Sequence, residues 1–396
     1  MREIHRRHRY VLMGAILAIV LMIATVITLR LTLKPASEVS HTTPTSATTK
    51  PTPVVHTVTF SAMGDMLAHD AVDISARTAS GYDFTPYFTD VKSLYESTDV
   101  TFCNPETLVS GSAYTITGYP QFNAPTEFAH DLVSAGCDIF NYASNHVADK
   151  GQAALDASLD NWNSAKPLAI TGANRSQAEQ DTVAYFTKNG IKFAFLAFAD
   201  FSNLALPHPY SVNLYHDPAL VEKLMKEARA NADVVLVSMH WGTEDSSTVN
   251  DDQREASQRV ANLGADVVIG TGPHVLQPVE QLTRTDGRKT LVWYSIGNML
   301  STQLWINELT GGVAKWTVTK RDDVVSVSDL AFDATFMSYS YNSLADGGKL
   351  TLRGTLKLQP LAQASSGIAK WGGTVAERTQ YVHDKLGSAV SLKITP

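Results

Sequence analysis

The sequence predicts an α/β fold behind a single N-terminal apolar span, and three observations predict it. Apolar runs of strand length alternate with helical patterns through most of the chain. Several of those runs are nearly continuous, as expected of strands covered on both faces. One after another they end in carboxylate, amide or imidazole side chains, which in an open α/β sheet is where ligands bind.

Taken in order, Arg2, Arg6, Arg7 and Arg9 are opposed only by Glu3, and an uncharged, mostly apolar stretch from Val11 to Leu29 is closed by Arg30. At about 1.5 Å per residue this stretch just crosses a hydrocarbon core of about 30 Å. The basic cluster predicts a cytoplasmic tail over 1–10, a transmembrane helix over 11–33 and a main domain outside the cell membrane. A cleaved signal peptide is the alternative. Its apolar core is shorter, about 7–15 residues, and it needs a small-x-small cleavage site. Nothing between Thr25 and Pro35 reads well as one, and no lipobox cysteine is present. Residues 34–56 are rich in Pro, Ser and Thr with few large apolar side chains, which predicts an extended tether.

The remainder divides into an expected α/β domain at 57–310 and a β-rich part at 311–396 that completes or flanks it. Hydrophobic content of 44% and charged content of 18% suit a globular body. The formal charge is −7, and without Glu3 and the five arginines up to Arg30 it is −11. That balance argues against a nucleic-acid partner and means that an anionic ligand needs a local cation.

Strands are expected at Val58–Ala62, Val100–Cys103, Cys137–Tyr142, Phe193–Phe198, Val234–Met239, Val267–Ile269 and Leu291–Ile296. A helix starts at Asp217-Pro218 and stacks Leu220, Val221, Leu224, Met225 and Ala228; another runs from about Asp252 to Leu263. Val313–Thr319, Val324–Leu330 and Leu350–Leu358 read as antiparallel strands. Cys103 and Cys137 are the only cysteines. An exported pair can bridge, but their offset in neighbouring parallel strands separates the sulfurs, so two buried free thiols are at least an equal expectation.

The chemistry sits at the strand ends: Gly64-Asp65 with His69 beyond, Asn104-Pro105-Glu106, Ser144-Asn145-His146, His240-Trp241-Gly242 with Glu244, Gly270-Thr271-Gly272-Pro273-His274, and Ser295-Ile296-Gly297-Asn298. Singly, each such cluster is ordinary turn chemistry. Trp241 reads first as packing, Ser295 and Asn298 equally as turn residues, and His208 and His216 as a surface loop. Repeated in order, carboxylate, imidazole and amide oxygen form a donor set for Zn, Mn or Fe. No thiolate is among them, and neither a P-loop nor a nucleophile elbow occurs.

These ordered motifs (G-D-M-L at 64–67, N-x-E at 104–106, S-N-H-x-x-D-x-G at 144–151, H-W-G-x-E at 240–244, G-x-x-P-H-V-L-Q at 270–277, Y-S-I-G-N at 294–298) resemble those of the bacterial poly-γ-glutamate capsule biosynthesis family. The likeness covers about 57–300. That family is similar to the calcineurin-like metallophosphoesterases, which implies a four-layer α/β/β/α metallophosphatase-like sandwich. Residue by residue, the resemblance implies Asp65, Glu106, Asn145, His240 and His274 as ligands to divalent metal. His69, Asn104, Glu244 and Asn298 are additional candidates, and His146 is the general acid. Two cations about 3.5–4 Å apart would clamp a phosphate and activate water. Two positions depart from the pattern: Gly272 stands where the family commonly has a histidine, and Pro105 where it has an aliphatic residue.

The resemblance implies an extracellular component of poly-γ-glutamate synthesis and export that handles this or another anionic envelope polymer beside membrane-bound synthase partners. The alternative is a metal-dependent surface hydrolase acting on phosphoester or amide bonds of envelope polymers.

Overall fold

The computed structural model describes residues 54–341, 353–387 and 393–395. The expected basic tail, membrane helix and most of the tether fall outside them. Among the described residues no helix is long and apolar enough to cross a membrane. Strand β1 (Val55–Met66) starts inside the stretch expected to be tether, because Val55 and His56 already pair with Arg321 and Lys320.

After β1 come α1 (Asp70–Ala76), β2 (Val100–Pro105), α2 (Glu127–Ala135), β3 (Ile139–Asn141), α3 (Gln152–Ala165) and β4 (Ala169–Thr171). Strands β1 to β4 are parallel neighbours. Next come β5 (Ala184–Lys188), β6 (Ile191–Ala199), α4 (Pro218–Asn231), β7 (Val234–His240), α5 (Asp251–Asn262), β8 (Val267–Thr271), β9 (Val279–Thr283) and β10 (Lys289–Trp293). These strands form a second sheet in the order β5-β6-β7-β8-β10-β9, parallel through β6, β7, β8 and β10, with antiparallel edges. The chain then returns to the first sheet. Short β11 (Asn298–Leu300) runs beside the end of β1, and β12 (Thr310–Arg321), β13 (Val324–Tyr341) and β14 (Arg353–Pro360) extend that sheet antiparallel from β1. Lys393–Thr395 adds β15 alongside β13. The result is a mixed α/β domain of two sheets.

Strand alternation shows how the layers meet. Phe193, Phe195 and Ala197 of β6 face a core shared with β1 and β2, where Phe60 packs edge-on against Phe193 and Phe102 against Phe195. Ala194, Leu196 and Phe198 point the other way, into a second core with Leu220, Leu224 and Met225 of α4 and Val260 of α5. Strands covered on both faces read as unbroken apolar runs, which is why β6 and β7 were visible in the sequence. The first helix starts behind the expected cap, and the second starts at Asp251, close to the expected Asp252. The Asp217 carboxylate accepts from the Ala219 and Leu220 amides with Pro218 in the first turn, and Asn250 and Gln253 form a capping box.

Gly64 lets β11 approach β1. A Cβ there would lie 1.8 Å from the Gly297 carbonyl oxygen, and the register of β1 against β2 shifts at this point. The shift brings Asp65 opposite Asn298 on one side and Asn104 on the other.

The expectation that strand offset separates the cysteines fails, because Cys103 and Cys137 form a disulfide with Cα atoms 5.9 Å apart. Cys137 is not a strand residue. It lies in the turn after Gly136 (φ 115°), which closes α2, and β3 begins only at Ile139. The bridge therefore ties the end of α2 to β2. It closes a separation of 34 residues, and a loop of that length is worth about 2–4 kcal/mol through restriction of the unfolded chain. Replacing both cysteines by Ala should lower unfolding free energy by that amount in urea titrations, and wild-type stability in the double variant would contradict it.

Candidate metal centre

The carboxyl ends of β1, β2, β7 and β8 and the turns after β3 and β8 converge on one buried cluster. Ligand atoms of Asp65, Glu106 and His240 all lie within 4.8 Å of one another. The Nε2 of His240 is 3.0 Å from the Asn145 side-chain oxygen and 3.5 Å from Glu106 Oε1. The Nδ1 of His274 lies 3.1 Å from Asp65 Oδ2 and 3.8 Å from Glu106 Oε2. The five residues expected as ligands are thus brought together from both sheets, and all are buried.

The supporting residues divide by what their atoms already do. Asn104 donates to Asp65 Oδ1 at 2.6 Å while its own oxygen accepts from Asn141, also at 2.6 Å. Asn104 thus orients Asp65. Asn298 accepts from His274 Nδ1 at 3.1 Å, which makes it an orienting residue as well as a turn residue. His69 accepts from the Thr302 amide through Nδ1 at 3.3 Å. In the neutral ring the proton is then on Nε2, so His69 offers a donor rather than a metal-ligating lone pair. Glu244 is exposed and lies along the cavity beside the cluster. Trp241 packs on Tyr294 and donates its indole N–H to the Tyr294 carbonyl, a structural role. His216 pairs with Asp200 at 2.7 Å in an exposed loop.

Gly272, where the resemblance leads one to expect a histidine, sits in a tight turn. Its φ is +103°, and a Cβ there would lie 2.9 Å from the Trp241 carbonyl oxygen. Its amide instead donates to both oxygens of Asp65 at 3.2 Å. This N–H orients Asp65; unlike an imidazole it has no lone pair for a metal. His274 itself has φ +61°, a left-handed conformation that is uncommon for a residue with a side chain.

His146 stands beside the cluster with Nδ1 2.7 Å from Asp149 Oδ2, and the same carboxylate oxygen accepts from the Phe122 amide. This leaves Nε2 turned from Asp149, with the Asn203 amide nitrogen 3.3 Å away. A cavity of about 310 Å³ opens next to His146 and His274. Its rim carries Tyr119 and Trp305, 65% and 63% exposed, and its wall includes Gln303, Glu308 and Arg353. The sequence reading missed Asn141, Asn203, Trp305, Glu308 and Arg353. Only the exposed aromatics carry any sequence signal, and it is not specific.

The electrostatics centre on Glu106. Its two carboxylate oxygens are fully buried and have no hydrogen-bond partner among the described residues. Burial pushes its carboxyl up, but the imidazoles of His274 and His240 more than offset this and hold it down at about 2. Burial likewise lowers His274, and Glu106 and Asp65 overcome it, raising the imidazole to about 10. A buried anion satisfied only by charge, ringed by oxygen and nitrogen donors, fits a divalent cation of the Mn, Zn or Fe class.

The two shifts set a pH window. Glu106 sits below its ordinary 4.5, so its contribution to stability is full above about 4.5 and is lost as pH falls toward 2. His274 sits above its ordinary 6.5, so its contribution is full below about 6.5 and is lost as pH rises toward 10. With a chelator present, the stability difference between wild type and Glu106→Gln should peak between those ordinary values. Thermal melts across pH would read it, and a difference independent of pH would contradict the pairing. Added Mn²⁺ should abolish the alkaline loss.

Comparison with known proteins follows the same residues. The family model described as "Bacterial capsule synthesis protein PGA_cap" matches residues 59–303. The PGA biosynthesis protein CapA of Bacillus subtilis (strain 168) is 30% identical over 185 residues, covering 46% of this chain and 47% of that protein. The capsule biosynthesis protein CapA of Bacillus anthracis is 26% identical over 214 residues, covering 52% and 50%. The matched region spans about half the length of these curated relatives. Among solved structures, a putative 5'-nucleotidase from Staphylococcus aureus, crystallised with alpha-ketoglutarate, aligns with a TM-score of 0.45 at 14% identity, over 70% of this chain and 54% of that one. A hypothetical protein from Thermus thermophilus aligns with a TM-score of 0.40 at 14% identity, over 68% and 98%. With the family model matching more than half of its length, this chain belongs to the bacterial capsule synthesis family PGA_cap.

Proposed function

We propose that this chain is the membrane-anchored, outward-facing component of a poly-γ-glutamate synthesis and export machine. In this reading it is a four-layer α/β/β/α sandwich holding divalent metal at Asp65, Glu106, Asn145, His240 and His274. The observation that carries the reading is the Glu106 carboxylate, fully buried without a hydrogen-bond partner among the described residues and ringed by donors drawn from both sheets. A bound cation would polarise an oxygen of the substrate. The chain's own residues do the positioning. Asn104 and the Gly272 amide hold Asp65, Asn298 turns His274, and Asp149 turns His146 so that Nε2 can pass a proton.

Export is supported by the basic cluster and apolar span at the N-terminus and by the Cys103–Cys137 bridge, since disulfides persist in oxidising compartments. An anchor keeps the domain beside the point where polymer leaves the membrane. Deleting the gene should abolish surface polymer. Wild-type complementation should restore it, and Glu106→Gln should neither restore it nor retain metal in elemental analysis. Surface polymer in the deletion strain would overturn the assignment.

The His146–Asp149 pair favours a second reading, a metal-dependent hydrolase of envelope phosphoester or amide bonds. A carboxylate-oriented imidazole beside a metal cluster is the arrangement of a general acid, worth about 10²–10⁴-fold in rate. The Mn²⁺-loaded chain should then hydrolyse a generic phosphoester, and His146→Ala should slow it by that factor. No turnover with Mn²⁺, Zn²⁺ or Fe²⁺ would remove this reading.

A further inference from the structure

An acidic chain holds an anion only where cations are gathered locally, and the amino ends of the second sheet's strands gather them. Asp233 precedes β7, Asp266 precedes β8 and Lys289 begins β10, so these residues lie at the strand ends opposite the metal centre. One of those strands, β7, is seven residues long and spans about 20 Å. A cavity of about 600 Å³ opens at the amino ends, lined by the end of α4, the β9–β10 hairpin and the β12–β13 hairpin.

Within it two carboxylates are shared among three cations. Asp266 accepts from Arg229 Nη1 at 2.8 Å and from Arg284 Nη2 at 2.6 Å, and Asp233 accepts from Lys320 Nζ at 2.6 Å. Arg284 is the buried cation, 4% exposed. Its Nε donates to the Thr290 hydroxyl and its Nη2 to Asp266, but its Nη1 is buried with no hydrogen-bond partner among the described residues. A guanidinium cannot shed its charge, so an open buried donor on it is destabilising until an acceptor fills it. Arg288 stands directly across the hairpin end, where the Arg284 amide donates to its carbonyl at 2.9 Å. Like charges opposite one another on a hairpin repel. The acid nearest Arg288 is Asp286, in an exposed pair at 2.7 Å that water screens. The remaining carboxylate of the lining, Asp323, is exposed on the β12–β13 turn.

We propose that this cavity is a second ligand site, separate from the metal centre, which binds a phosphate oxyanion, free or as a monoester, between Arg284 and Arg288. Arginine forks match phosphate oxygens in pairs. A phosphate monoester offers three strong acceptor oxygens and about −1.5 to −2 charge at neutral pH, enough to serve two guanidiniums at once. A single carboxylate has two oxygens and one charge, which the Asp266 and Asp286 side chains already supply. The cavity is larger than a phosphate group alone, and Leu291, Val324 and Val325 line it too, with Val324 69% exposed. Those side chains leave an apolar wall for the organic part of an ester. None of these residues belongs to the Asp65, Glu106 and His240 cluster, so the site stands whether or not that cluster holds metal.

The test is calorimetric titration of the full chain in non-ionic detergent, stripped of metal by a chelator and desalted, so that no metal ion is left to bind phosphate. The probes are inorganic phosphate, glycerol 3-phosphate and, as a dicarboxylate of similar charge, glutarate. At least one phosphate probe should bind, more weakly as NaCl is raised, and glutarate should bind at least about tenfold more weakly. Equal binding of the two phosphates, or of inorganic phosphate alone, marks the free ion as the ligand, and preference for glycerol 3-phosphate marks an ester; each upholds the site. Arg288→Gln should weaken binding about 10–100-fold, the loss expected of hydrogen bonds between charged groups, with Arg288→Lys intermediate. Arg284→Gln should lose at least as much. Arg288 is exposed, so its variants keep the test open even where the buried Arg284 variant fails to fold. Binding of neither phosphate by wild type, glutarate binding as tight as phosphate, or undiminished phosphate binding by a folded Arg288→Gln would each overturn the proposal.

Discussion

A carboxylate that leaves water without a hydrogen bond has to be neutralised by charge, and Glu106 imposes that requirement on both sheets. Its nearest compensating groups are His240 at the end of β7 and His274 in the turn after β8, both on the second sheet. Glu106 itself follows β2 on the first. The two sheets must therefore meet with their strand ends in register for the charge to be tolerated. Phe60 against Phe193 and Phe102 against Phe195 hold that register from the core side. Packing and electrostatics thus act on the same pair of surfaces, and loosening one would expose the other.

Backbone geometry completes what the side chains begin. Gly64 admits β11 against β1, which lets Asn298 reach His274 while Asp65 stays beside Asn104. Gly272 adopts a conformation that a side chain would strain, and its amide serves Asp65 directly. That amide orients Asp65 and offers a cation no lone pair. Both oxygens of Asp65 accept hydrogen bonds from the protein, whereas those of Glu106 have no hydrogen-bond partner among the described residues.

The strands and most residues of the buried cluster were legible in the sequence. Buried parallel strands write themselves as unbroken apolar runs, as in β6 and β7, and strand ends concentrate polar chemistry. Asp217, Pro218 and the stripe from Leu220 to Ala228 likewise announce α4 through local capping and period alone. Arg353 and Glu308 carried no such signal. They lie on or beside an antiparallel sheet extension, and only the return of the chain to β1 through β11 and β12 brings them to the cavity.

The sequence by itself determined what local rules govern: an α/β body, helix starts at Asp217 and near Asp252, and a carboxylate, amide and imidazole donor set in order along the chain. Tertiary structure decided what depends on contacts between distant segments. It joined Cys103 to Cys137, because the turn at Gly136 redirects the chain before β3 begins. It set the Thr302 amide against His69 Nδ1, and it turned Asn104 inward to Asp65. Those outcomes follow from which hydrogen-bond partner lies within about 3.5 Å of a given atom, and spacing along a chain carries no information about that distance.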